Sequence, residues 1–245
     1  PLTWQIKGRP WQRPAKGNNA MPTRGICQSS IDHRHNKSLG PGVADRPPLE
    51  AAAEYAALGL AVLPLCGPRH GCRHPGKVPV DLRTDRHLEG WQTRGVPTPE
   101  EVETWLSLPL GRRANLGCVM GRASGVVGVD VDGPEGEEGL RELSGGHLPD
   151  TWEYQTRPGR RRLIYALPEG VRIPSTRPRP KLEILSDGAQ AVLPPSLHPL
   201  GHRYTWVPGR DPWTFGPPAP APGSCRPWAT APKRCRRRPR GGGRW

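Results

Sequence analysis

Nowhere in this 245-residue chain do the roughly 20 consecutive apolar residues that cross a bilayer occur, and no signal peptide is visible. A membrane is therefore not expected among its partners. Paired cysteine spacing is also missing. Cys27, Cys66, Cys72, Cys118, Cys225 and Cys235 are scattered, which argues against a disulfide framework and for a reducing cytoplasm. Cys66, Cys72 and His74 lack a fourth donor at standard spacing, so a structural zinc is not expected. There are no internal repeats. The middle of the chain lacks any charge excess: the whole carries +14, yet 49–208 hold nineteen basic and nineteen acidic residues. Nucleic-acid binding by that core has to be argued from local patches, not from net charge.

The surplus positive charge lies at the two ends. Residues 1–48 show no sustained period of 2 or 3.6, and 209–245 run in Pro, Gly and Arg to Arg236-Arg237-Arg238-Pro239-Arg240. Neither has enough apolar surface to offset ordering entropy, so 209–245 is expected to be a disordered tail and 1–48 a disordered or non-native extension. Two readings of the Arg run stay open: a DNA-binding arm, or translation beyond natural gene boundaries in a GC-rich genome, where Arg outnumbers Lys 30 to 6.

Between them the core, 49–208, alternates helical and extended patterns. Leu49–Leu58 is Ala-rich and stops at Gly59; the apolar run 60–65 predicts a buried strand. A Gly-, Pro-, Arg- and His-rich loop follows over 66–95. Thr98-Pro99-Glu100-Glu101 predicts a capped helix start. Strands are expected at 115–120 and 126–132, then a short acidic helix at 134–143, strands at 151–156 and 162–167, a hairpin of 182–185 with 190–193, and a last strand at 204–206. Such a mixture predicts an α+β (mixed α/β) domain.

The chemistry centres on Val126-Val127-Gly128-Val129-Asp130-Val131-Asp132. Strand alternation sends Asp130 and Asp132 the same way and the valines between them into the core. Like charges that close repel, and a bound divalent cation relieves them; a solvated Asp-Gly turn is the alternative. In Lys181-Leu182-Glu183-Ile184-Leu185 the same alternation buries Leu182 and Ile184 and turns Glu183 away. Beside the first strand, Glu183 becomes a third carboxylate and the set a seat for one or two hard cations; apart from it, Glu183 is an ordinary exposed strand residue. Arg160, Arg161 and Arg162 follow a Pro-Gly turn and suit phosphate oxygens, or form a plain basic hairpin turn. Ser196 and His198 stand among rigid prolines, with no third member to make a hydrolytic triad.

These blocks come in a telling order: Glu54-Tyr55, Val62-x-Pro64-Leu65, Gly76-Lys77-x-Pro79, Gly90-Trp91, Asn115-Leu116-Gly117, Gly121-x-x-Ser124-Gly125, Asp130-x-Asp132, Thr156-x-x-Gly159, Arg162-x-x-Tyr165, Leu182-Glu183, Pro194-Pro195-Ser196-x-His198-Pro199-x-Gly201 and Tyr204-x-Trp206. Together they resemble the bifunctional DNA primase/polymerase N-terminal (prim-pol) domain of the archaeo-eukaryotic primase superfamily, over about 49–208. The resemblance implies a primase-polymerase fold, with an RRM-like catalytic sheet and an accessory α/β half. It implies template-dependent nucleotidyl transfer with two Mg²⁺ or Mn²⁺ ions held by Asp130, Asp132 and Glu183, for replication of a plasmid, phage or other mobile element. Arg160, Arg161, Arg162, Ser196 and His198 would bind the nucleotide; Lys77 and 172–181 are candidate template contacts. Single-stranded DNA and nucleoside triphosphates are the expected partners, with a helicase partner or a missing C-terminal helicase domain. Arg162 stands where the family normally offers a His. Two other readings stay open: a metal-dependent nuclease using the same carboxylates, and a non-catalytic replication-associated DNA-binding module or degenerate fragment.

Overall fold

The computed structural model describes residues 47–221, and outside them only the backbone of an antiparallel pair, β1 (Gln5–Ile6) with β2 (Arg9–Pro10). The Arg run and most of the N-terminal extension lie outside the described residues. The chain enters through a 3₁₀ turn at Pro48–Ala51 and α1 (Ala52–Ala57), leading to the fully buried β3 (Val62–Leu65). A small hairpin of β4 (Val80–Asp81) and β5 (Arg86–His87) precedes α2 (Pro99–Ser107). The capping box expected at α2 forms, with Glu101 N–H donating to Thr98 Oγ1 at 3.2 Å and Thr98 N–H to Glu101 Oε2 at 3.0 Å.

The strands make an α+β architecture of two main antiparallel sheets. β12 (Gln190–Val192), β6 (Asn115–Val119) and β3 form the smaller. The larger runs in the order β10 (Thr176–Arg179), β11 (Leu182–Leu185), β7 (Val126–Asp132), β9 (Arg160–Ala166), β8 (Trp152–Arg157) and β13 (Thr205–Trp206). α3 (Gly133–Ser144) follows β7 and ends at Gly145, in the left-handed region at φ 62°. Among the described residues no helix is long and apolar enough to cross a membrane.

Alternation along β7 divides the interior in two. Val127, Val129 and Val131 pack with Leu163, Tyr165, Leu182 and Ile184 beneath Leu140 of α3. On the opposite side Val126 joins the larger core with Met120, Leu116, Tyr55, Trp152 and Trp206. That core covers only the first part of the face, and beyond it Asp130 and Asp132 remain partly accessible.

The folded unit runs past the expected boundary at 208. Ala166 N–H donates to Ala219 O at 2.8 Å, Trp152 Nε1 to Gly216 O at 2.6 Å, and the Trp213 ring lies 5.3 Å from that of Tyr55. Residues 209–221 turn at Asp211, whose Oδ1 accepts from Trp213 and Thr214 N–H, and then run along β9 to apolar partners distant in sequence, a relation composition does not register. Residues 222–245 lie outside the described range.

Candidate active site

Register assembles the carboxylates. β11 pairs with β7 so that Glu183 lies opposite Asp130, and β9 pairs on the other side with Arg162 opposite Asp130 and Arg160 opposite Asp132. Period-two alternation puts Asp130, Asp132, Glu183, Arg160 and Arg162 on one face. Arg161, opposite Val131, is on the other. There it donates from Nε and Nη2 to Glu137 of α3 at 2.7 and 2.8 Å, and from Nη1 to Glu153 at 3.1 Å. The three arginines read as one group therefore split, because the strand begins at Arg160 and not at Arg162.

Each carboxylate faces a guanidinium: Arg160 Nη1 is 2.6 Å from Asp132 Oδ2, Arg162 Nη2 is 3.0 Å from Asp130 Oδ1, and Arg177 Nη2 is 3.4 Å from Glu183 Oε1. Arg162 is the deepest of these cations. It donates to the Tyr154 hydroxyl at 3.2 Å and lies 5.8 Å over that ring. Burial works against its charge, but Asp130 and Tyr154 more than offset this and raise its pKa, so it stays protonated. Burial pushes the Tyr154 hydroxyl up as well, and it donates to Val192 O at 2.8 Å. Asp130 Oδ1 is sealed from solvent and receives no aligned hydrogen bond despite the nearby Arg162.

Loops complete the rim. Burial, then the charges of Arg162 and Arg157, depress the pKa of Lys77, with Asp130 and Asp132 opposing; the Lys77 ammonium thus belongs to the same electrostatic cluster. Its carbonyl accepts from Gln190 Nε2 at 2.7 Å. His198 is buried, its ring 6.1 Å from that of Tyr204, and burial followed by Lys77, Arg157, His202 and Arg160 pulls it down to about 4. It is a neutral imidazole near pH 7, with Nδ1 accepting from Leu200 N–H at 3.2 Å. Ser196 is fully buried and saturated: Oγ accepts from Leu116 N–H at 2.9 Å and donates to Leu116 O at 3.2 Å, fastening its segment to β6. Asn115 binds Leu197 N–H at 2.9 Å and the carbonyls of Leu197 and Gly76 at 2.8 and 3.0 Å, tying together the loops that bear His198 and Lys77. Arg157, Tyr204 and the positioning part of Asn115 escaped the sequence reading. Only the ordered blocks containing Asn115 and Tyr204 signalled them.

The donor set suits a hard cation: three carboxylates, one with a buried oxygen lacking an aligned partner. Yet each is turned to an arginine. Among the described residues, the donor group drawn within 4.8 Å is elsewhere, at Cys66, His70 and Cys72. His70, not His74, is the histidine brought to the two cysteines. A separate cavity of about 780 Å³ opens between α3 and the β8–β9 end of the sheet, walled by Glu137, Arg141 and Arg161 among others. Asp130 and Glu183 do not line it.

Residues 52–224, most of the chain and all of this constellation, match the profile described as bifunctional DNA primase/polymerase, N-terminal. No curated protein matches the chain. The match extends beyond 208 as the packing of 209–221 does, and the chain belongs to the family of bifunctional DNA primase/polymerase N-terminal domains.

Proposed function

We propose that the chain is a template-directed DNA primase/polymerase that joins nucleotides at Asp130, Asp132 and Glu183, in the replication of a plasmid, phage or other mobile element. Membership of the family implies a DNA template and nucleotide substrates, and the family is typically metal-dependent. The observation that carries the site assignment is the register setting Glu183 across from Asp130, on the face Asp132 shares. Two Mg²⁺ or Mn²⁺ ions held by these carboxylates would supply an activated hydroxyl and neutralisation of the leaving pyrophosphate.

The chain's own groups supply phosphate binding. Lys77, Arg157, Arg160 and Arg162 surround the acids, and guanidinium forks match phosphate oxygens. Neutral His198 adds a hydrogen-bonding group without further charge. Arg162, at the position of the family His, is held protonated and so takes no part in proton transfer. Arg161 and Ser196 support the site from the helix face and from β6.

Primer extension on single-stranded DNA with Mn²⁺ and both nucleotide types tests this. Asp130→Asn should slow extension by about two orders of magnitude or more, the scale of losing several kcal/mol of charge stabilisation. DNA affinity should stay within about twofold, since no phosphate contact is removed. Undiminished extension by Asp130→Asn would sink the assignment. Shortening of labelled DNA without nucleotides would identify a nuclease instead. One observation favours a second reading, a binding-only module: a guanidinium already faces every carboxylate. Calorimetric Mn²⁺ titration separates the two, because a binding-only module shows no ion lost on Asp130→Asn.

A further inference from the structure

We propose that Cys66, His70 and Cys72 form a binding site for one zinc-class ion, which pins the loop that delivers Lys77 to the rim of the carboxylate face. The ion is separate from any held by the acids, and the inference stands whether or not the chain polymerises nucleotides. The three donors lie in a Cys-x₃-His-x-Cys stretch just after β3, and their ligand atoms fall within 4.8 Å of one another. Both cysteines are free thiols, with their sulfurs 3.7 Å apart. Zinc–sulfur bonds of about 2.3 Å in a tetrahedron set two sulfurs about 3.8 Å apart, so this edge is already in place.

The histidine is prepared for the same role. Its Nε2 lies 3.4 Å from Asp85 Oδ1, while Nδ1 faces Cys72, whose backbone N–H donates to it at 3.3 Å, a hydrogen bond that ligation through Nδ1 would replace. A carboxylate behind a metal-binding imidazole fixes the tautomer and raises the basicity of the other nitrogen. Two sulfurs and one imidazole select a borderline-soft ion such as Zn²⁺ over Mg²⁺. Cys66 is buried, whereas Cys72 and His70 are half-buried, which leaves the fourth position on the solvent side for water. In the described arrangement Cys66 Sγ also reaches His74 O at 3.7 Å, a thiol contact that metal ligation by the thiolate would replace.

The loop closes tightly around this cluster. His70 N–H and Gly76 N–H both donate to Gly67 O, at 3.1 and 3.0 Å, and Cys66 N–H donates to Val78 O at 2.8 Å. Lys77 therefore leaves a loop fastened at both ends, and an ion across Cys66, His70 and Cys72 would fasten its middle.

The test is the metal content of full-length protein purified without chelators from zinc-supplemented medium. One zinc per chain is expected, replaceable by Co²⁺ with sulfur-to-cobalt charge-transfer absorption. The triple variant Cys27→Ser, Cys225→Ser, Cys235→Ser should keep that ion, and His70→Ala and Cys72→Ser should lose it while retaining the wild-type circular dichroism. Hydrogen exchange over residues 66–80 should quicken on chelation. Metal-free wild-type protein, an ion kept by both ligand variants, or a Cys66–Cys72 disulfide in the reduced preparation would each overturn the proposal. None of these readouts depends on polymerase activity, so its failure is distinct from failure of the proposed reaction.

Discussion

Arg162 is buried against Asp130 and Tyr154, and that makes it a stability element before it is anything else. Replacing it with Met strands a carboxylate that keeps 22% of its side chain exposed. The expected cost is about 2–3 kcal/mol, below the roughly 3–5 of a fully buried broken pair, and urea unfolding measures it. His198 gives a second prediction, with a definite sign. Its pKa is about 4 in the fold against about 6.5 when unfolded, so the unfolded chain binds the extra proton between those values. Above pH 6.5 its contribution is intact; as pH falls toward 4, stability drops by up to about 3 kcal/mol. Urea midpoints of wild type and His198→Gln should therefore converge as pH is lowered from 7 to 4. A constant gap would refute the burial argument.

Among the elements, α3 and the β10–β11 turn decide where Asp132 sits. A Cβ at Gly136 would stand 2.5 Å from Lys181 O, and that carbonyl accepts from Asp132 N–H at 2.9 Å. Lys181 itself holds φ 56°, so the turn has little freedom to yield. Gly136→Ala should then destabilise, overpacking of about 1–3 kcal/mol outweighing a helix-propensity gain of about 1. A higher urea midpoint for the variant would contradict this packing. Elements governed by local pattern were legible in the sequence: the Thr98 capping box and the strands 126–132 and 182–185 all form. The expected hairpin of 182–185 with 190–193 does not: past the Ser186-Asp187-Gly188 turn the chain changes sheets, β11 pairing with β7 and β10 while β12 pairs with β6, a choice that distant partners make and local turn chemistry does not register. β10 was not, because Pro178 and alternating basic residues hide a strand whose hydrogen bonds lie to one side. The Arg160–Arg162 group was read without its strand start, and so without its division between faces. Arg157 was invisible as a site residue because only tertiary contacts bring it to its partners, whereas His70 stands between Cys66 and Cys72, and spacing does not say that the loop turns this histidine inward and not His74.

For the molecule as a whole, charge and fold are separate. The nineteen-to-nineteen balance of 49–208 leaves the +14 to the ends of the chain. Arg236, Arg237, Arg238 and Arg240 should therefore dominate non-specific affinity for single-stranded DNA. Changing all four to Gln should reduce the slope of log affinity against log salt by about 3, at about 0.7 per phosphate contact. An unchanged slope would mean that the Arg run touches no phosphate.

The place of β7 in the larger sheet has one more consequence. β7 is paired on both flanks and offers no edge, so Asp130 is held by a ladder on either side and Asp132 closes the strand. Lys77 and His198 come instead from the segments 66–79 and 193–204, and Arg157 and Arg160 from a hairpin end, whereas Arg162 shares the interior of the sheet with Asp130. Substitutions in those loops should therefore change what this face binds while leaving the strand that carries the aspartates in place.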